Sequence, residues 1–175
     1  MILERNETFE ISESMIPAQM TVTIQDAKEM VKIMADLRMR YSAAIKEIST
    51  KLEVLDNEFS VKHDYNPFHH MECRLKSLSS ITEKIQRKGW PMEIESVYKL
   101  TDFAGVRVIC NYIDDVYTIE KSLLRQDDIV LIRKTDYIRN PKESGYRSLH
   151  LVVEVPVFLS DRTYHMPVEI QIRTI

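Results

Sequence analysis

Three glycines, two cysteines and no surplus of positive charge set the first limits on this 175-residue chain. Cys73 and Cys110 form no CxxC pair and show no metal-ligand spacing, which points to a reduced, cytosolic protein. No apolar run approaches the about 20 residues that cross a bilayer. The opening "MILERNETFE" is acidic and lacks the apolar stretch of a secretory signal, so a cytoplasmic location is expected. The net charge is −3 and the sequence pI about 6.0, which argues against a nonspecific nucleic-acid coat and leaves room for a local basic pocket. GxxxxGK[ST] and GxGxxG are both missing, which excludes a P-loop and a Rossmann fingerprint. GxSxG and HExxH are missing too, so nucleophilic hydrolysis of the familiar kinds has no support. With so few glycines, Gly89, Gly105 and Gly145 are each expected to have a backbone reason.

What remains is an ordinary globular composition, 44% hydrophobic and 29% charged. The length suits one domain with an appended helical segment. Residues 1–22 show no clear periodicity and read as an arm. From about Thr23, Met30, Met34, Leu37, Tyr41, Ala44, Ile48, Leu52, Leu55 and Phe59 recur at spacings of three and four, which predicts one long helix or two shorter ones. "HDYNPFHH" breaks the pattern at Pro67. A second helix is predicted over 71–87, closing at Lys88-Gly89 with Pro91 beyond. Residues 95–103 read as a short helix or turn. After Gly105, "VRVICNY" reads as a strand, 114–126 as an amphipathic helix, and 129–137, 148–158 and 164–174 as strands. The expected class is α/β (α+β), a mixed sheet with helices packed against it, preceded by an N-terminal helical segment.

The last strand alternates Val168, Ile170 and Ile172 with Glu169, Gln171 and Arg173. One face belongs to the core. The other is either solvated surface or a site. In "TDFAGVRVIC", Asp102 precedes Gly105, and Arg107 is out of phase with Val106, Val108 and Cys110. Asp102 is either a turn residue or half of a carboxylate pair with Glu169, the usual way to hold Mg2+ when nucleotide phosphates supply further ligands. On the predicted helix, Lys76, Ser80 and Lys84 fall at i, i+4 and i+8 with Arg74 nearby. Such a face is solvated charge or a polyphosphate cradle. In "NPKESGYRSLHLVVEV", Pro141 and Gly145 shape a turn, Lys142 offers charge, Tyr146 offers a ring to a base, and His150 lies on the less apolar face of the following strand. His69, His70 and Cys73 lack a fourth ligand for a metal cluster.

Together, "RLKSLSSITEK", "LTDFAGVRVICNYIDDVY", "DYIRNPKESGYRSLHLVVEVPV" and "VEIQIRT" resemble the RelA/SpoT alarmone synthetases, in order over about 74–174, and the length resembles that of the small members. The resemblance implies a nucleotidyltransferase-like mixed sheet over 71–175, with 1–70 as arm and helical segment. It implies Mg2+-dependent transfer of pyrophosphate from ATP to the 3′-hydroxyl of GDP or GTP, releasing AMP and making the stringent-response alarmones ppGpp or pppGpp. By the same resemblance, Arg74 and Arg107 sandwich adenine, and Lys76, Ser80 and Lys84 hold the ATP phosphates. Asp102 binds Mg2+, and Glu169 binds Mg2+ or acts as the base. Tyr146 stacks on guanine, Lys142 meets the acceptor phosphates, His150 positions the acceptor, and Gln171 and Arg173 line the same face. ATP and GDP or GTP are the implied partners, with no membrane and no nucleic acid. A homo-oligomer is implied, a tetramer in the full family architecture. Ser144 stands where many members have Asn, which bears on GDP against GTP. The chain ends at Ile175, where small synthetases continue with further helices. The alternative is a catalytically impaired nucleotide-sensing or RNA-binding relative.

Overall fold

The computed structural model describes residues 24–91, 96, 99–100 and 103–175. The expected arm, most of the expected turn at 95–103, and Asp102 lie outside the described residues. The chain divides into two compact units, Met1–Ala35 and Asp36–Ile175. In the first, the described residues are the opening turns of a helix.

That helix, α1 (Ile24–Lys62), is one continuous element. Within the second unit it buries Leu37, Tyr41, Ala44, Ile48, Leu52 and Leu55, the expected three-and-four spacing. The Tyr41 ring stacks on Phe103 with centroids 4.4 Å apart, and the Lys51 ammonium reaches Asp128 at 2.6 Å. These contacts fasten the helix to segments far along the chain.

The predicted helix over 71–87 is wrong in its first half. Residues Phe68–Leu75 form strand β1, and only Leu78–Arg87 form helix α2. The cause is tertiary. Strand β1 finds a partner edge in β2 (Ala104–Cys110), pairing Met71 with Val108, Cys73 with Val106 and Leu75 with Ala104. Ladder hydrogen bonds there outweigh a local helical pattern that is equally compatible with alternation. Ser77 then caps α2, its hydroxyl accepting from the Ser80 N–H at 3.3 Å. Gly89, at φ +66, closes the helix in the conformation that glycine tolerates best. His69 and Cys73 therefore do not stand one helical turn apart. No group of three metal-ligating side chains occurs among the described residues.

Helix α3 (Ile113–Leu124) follows β2, and β3 (Val130–Asp136), β4 (Leu149–Phe158) and β5 (Thr163–Thr174) complete a sheet in the order β1-β2-β5-β4-β3. Strands β2 and β5 run parallel, and the other neighbours are antiparallel. The β4–β5 hairpin inserts between β2 and β3, so the last strand becomes the central one. Its Val168, Ile170 and Ile172 are fully buried, as are Val106 and Val108 of β2 and Leu149, Leu151 and Val153 of β4. Val116, Ile119 and Leu123 of α3 are buried too. Each such side chain contributes roughly 1.5–3 kcal/mol of transfer free energy.

The two cysteines differ sharply. Cys110 is wholly buried, and burial, with the nearby Asp115 charge, pushes its thiol up to about 12. Cys73 is exposed. A maleimide added to the native protein is expected to label one thiol per chain, at Cys73, and both in denaturant; native labelling of Cys110 would contradict the packing.

Candidate active site

The face of the sheet opposite the core carries the polar residues. Paired residues across a ladder share a face. One row runs Arg74, Gly105, Glu169, Val152, Arg133 from β1 to β3, and the next runs Glu72, Arg107, Gln171, His150, Thr135. Glu169 thus sits on the central strand, with two arginines on the β1–β2 side and a histidine on the β4 side.

Gly105 needs no special backbone angle, contrary to the expectation for all three glycines. A Cβ there would meet only the Arg74 and Glu169 carbonyl oxygens at 3.8 Å, ordinary contact. Its lack of a side chain instead leaves the floor bare between an arginine and the central carboxylate.

Glu169 is held from both sides. His150 Nδ1 lies 3.2 Å from its Oε1, and the Gln171 amide donates to Oε2 at 3.3 Å. The His150 and Glu169 side chains are 17% and 21% exposed, so a ligand reaches them although water is partly excluded. On the other side of the imidazole, Nε2 lies 2.9 Å from the Tyr146 hydroxyl.

Tyr146 arrives by a loop with its own scaffold. The Lys142 carbonyl accepts from the Gly145 N–H at 2.8 Å, and Gly145 has φ +77, a value that disfavours side chains. Tyr137 closes the loop base by donating its N–H to the Ser148 carbonyl at 2.9 Å. Asp136 braces the turn, its Oδ1 accepting from the Ile138 and Arg139 N–H groups at 3.0 Å, while the Tyr117 hydroxyl of α3 donates to Oδ2. Burial pushes the Asp136 carboxyl up, but those donors and the Arg139 charge outweigh it and hold it below the ordinary value.

Two residues here escaped the sequence reading. Tyr137 packs edge-on against His150 at 5.2 Å, and the Lys142 ammonium lies 4.5 Å over its ring and 5.2 Å from the Tyr146 ring. Glu72 pairs with the Arg107 guanidinium at 3.1 Å. Glu72 stands two residues before Arg74, a relation that puts both on one face only when the segment is a strand. Tyr137 sat at a strand end with nothing in its spacing to mark it.

The other expected site residues are placed as follows. Arg74 is on β1, not on a helix face. Lys76 precedes α2 and lies outside any helix or strand, its N–H bonded to the Phe103 carbonyl at 2.9 Å, so the predicted i, i+4, i+8 row shrinks to Ser80 and Lys84, one turn apart on α2. The Ser80 hydroxyl lies 2.9 Å from that of Ser77. Arg173 shares the Glu169 face and donates to the Thr174 carbonyl at 3.4 Å. The donor set suits a hard cation in one respect: Glu169 is a partly exposed carboxylate on an open face, and Mg2+ is commonly held by one or two carboxylates with phosphates and water.

A sequence profile described as "Region found in RelA / SpoT proteins" matches residues 73–175. The chain belongs to the RelA/SpoT family. Among curated RelA/SpoT relatives it is 36% identical over 160 residues to the GTP pyrophosphokinase YwaC of Bacillus subtilis, covering 89% of this chain and 76% of YwaC. It is 38% identical over 136 residues to YjbM of the same organism, also a GTP pyrophosphokinase, covering 77% of this chain and 63% of YjbM. Among solved structures, small alarmone synthetase 1 from Bacillus subtilis bound to its product pppGpp superposes with a TM-score of 0.76 at 34% identity, over 82% of this chain and 74% of that one. The same synthetase bound to AMPCPP gives 0.69 at 28% identity, over 82% and 71%.

Proposed function

We propose that this RelA/SpoT protein is a (p)ppGpp synthetase that transfers pyrophosphate from ATP to the 3′-hydroxyl of GDP or GTP and releases AMP. The observation that carries the proposal is the position of Glu169. It stands on the central strand, between Arg74 and Arg107 on one side and His150, Tyr146 and Lys142 on the other. A two-substrate transfer needs two nucleotide sites with a proton acceptor between them. The relatives named as GTP pyrophosphokinases and the neighbour solved with pppGpp support the same reading.

On the β1–β2 side, Arg74 and Arg107 clasp adenine by stacking, with Glu72 holding the Arg107 guanidinium in place. Lys76, Ser80 and Lys84 hold the ATP phosphates near the N-terminal half of α2, where free N–H groups favour anions. On the β4 side, Tyr146 stacks on guanine, Lys142 leaves the two tyrosine rings to meet the acceptor phosphates, and His150, Gln171 and Arg173 line the pocket. The 3′-oxygen attacks the β-phosphorus of ATP, the bond to the α-phosphate oxygen breaks, AMP leaves, and Glu169 takes the hydroxyl proton. Mg2+ is the proposed cofactor, and Asp102 and Glu169 would hold it. When bound it neutralises charge on the transferring phosphates. The proposed unit is 71–175, preceded by the arm and helical segment 1–70, acting in the cytoplasm as a homo-oligomer. Among the described residues no helix is long and apolar enough to cross a membrane.

The test is product analysis with ATP, Mg2+ and GDP or GTP, alongside a working synthetase. AMP and ppGpp, or pppGpp from GTP, are expected in equal amounts. Nucleotide binding with no product in either mixture would reject the proposal in favour of a sensing relative.

A further inference from the structure

Three side chains form a continuous hydrogen-bonded line across the site: Tyr146 hydroxyl to His150 Nε2 at 2.9 Å, and His150 Nδ1 to Glu169 Oε1 at 3.2 Å. A neutral imidazole has one N–H and one lone pair, so the partner on one nitrogen decides what the other offers. An ionised carboxylate only accepts. The Tyr146 hydroxyl both donates and accepts. The arrangement that satisfies all three groups has the Tyr146 O–H donating to Nε2 and the Nδ1–H donating to Glu169. The opposite tautomer sets the Nδ1 lone pair against a carboxylate oxygen.

We propose that the Tyr146 hydroxyl, separately from its ring, is a positioning group: by donating to Nε2 it holds the His150 imidazole in the orientation from which its Nδ1–H, required by the carboxylate, aims Glu169. The proposal rests on reading Glu169 as the proton acceptor. Gln171 holds Oε2, and the Nδ1–H bond restrains the carboxylate plane from the β4 side. Tyr137 packs edge-on against the same imidazole at 5.2 Å and limits its tilt. The ring of Tyr146 is left to stack on a base, and the hydroxyl acts through His150 on chemistry at the next strand.

Tyr146→Phe keeps the ring and removes the hydroxyl. Its kcat is expected to fall roughly fivefold, the worth of one hydrogen bond, with KM for GDP within about twofold of the original. His150→Asn places an amide N–H near the position of Nδ1 and needs no bond from Tyr146 to hold it, so it should retain more activity than His150→Ala. In the His150→Asn background, Tyr146→Phe should change kcat no further. In the unliganded protein, 15N spectra should show a protonated Nδ1 and a bare Nε2 at His150, and in Tyr146→Phe the same tautomer with a shifted Nε2 resonance. An equal loss of kcat in both backgrounds, or a protonated Nε2 in the parent protein, overturns the proposal. If Glu169→Gln remains active, the reading of Glu169 has failed. If Glu169→Gln is dead but Tyr146→Phe is unimpaired, only the positioning proposal has failed.

Discussion

Glu169→Gln is expected to lower kcat by about 10²–10⁴-fold, the usual contribution of a positioned general base. The substitution is close to isosteric. It keeps an acceptor oxygen toward His150 Nδ1, 3.2 Å away in the parent, and sits on a strand whose neighbouring residues bury the core side chains. Stability should therefore change little. The proton acceptor is lost, because an amide oxygen is far too weak a base to take a hydroxyl proton. Dissociation constants for ATP and GDP, measured with labelled nucleotides, should remain within several-fold, since the rings and lysines proposed to bind them are untouched. The comparison of kcat with those constants is decisive. Turnover equal to the parent removes Glu169 from the reaction. Loss of both binding and turnover would assign it to assembly of the nucleotide sites instead.

The largest expected effect on stability lies one residue along the same strand. Ile170 points to the opposite face, is fully buried, and pairs with Val106 of β2 and Leu151 of β4. Ile170→Ala removes three carbons from the centre of the sheet and leaves a space that the paired strands cannot fill by moving. A loss of about 2–5 kcal/mol is expected. Gln171→Ala, the next residue, faces the site and should cost far less in stability. Urea unfolding of the two variants checks the prediction. Equal midpoints would mean that the alternation along β5 does not divide core from site.

Much of this arrangement is legible in the sequence because it depends on local pattern. The alternation of Val168, Ile170 and Ile172 with Glu169, Gln171 and Arg173 needs only the two-residue repeat of a strand. The three-and-four spacing from Leu37 to Leu55 needs only the pitch of a helix. The segment Phe68–Leu75 was not legible, because its strand character comes from pairing with residues 29 to 42 positions away. With it went the setting of Arg74 and the role of Glu72. Tyr137 was missed for a related reason: its partners His150 and Lys142 meet it only once the loop folds back from β3 to β4.

By itself the sequence determined the family, the candidate chemistry and the face on which each strand residue of β5 points, since motifs and periodicity are properties of the chain. Only the tertiary structure decided that β5 lies at the centre, between β2 and β4. Strand order is set by which edges find complementary apolar faces and hydrogen-bonding partners, and no local pattern records it. That order places Glu169 between the arginine side and the tyrosine–histidine side, and it brings His150, bonded locally to Tyr146 four residues before it, within hydrogen-bonding distance of Glu169.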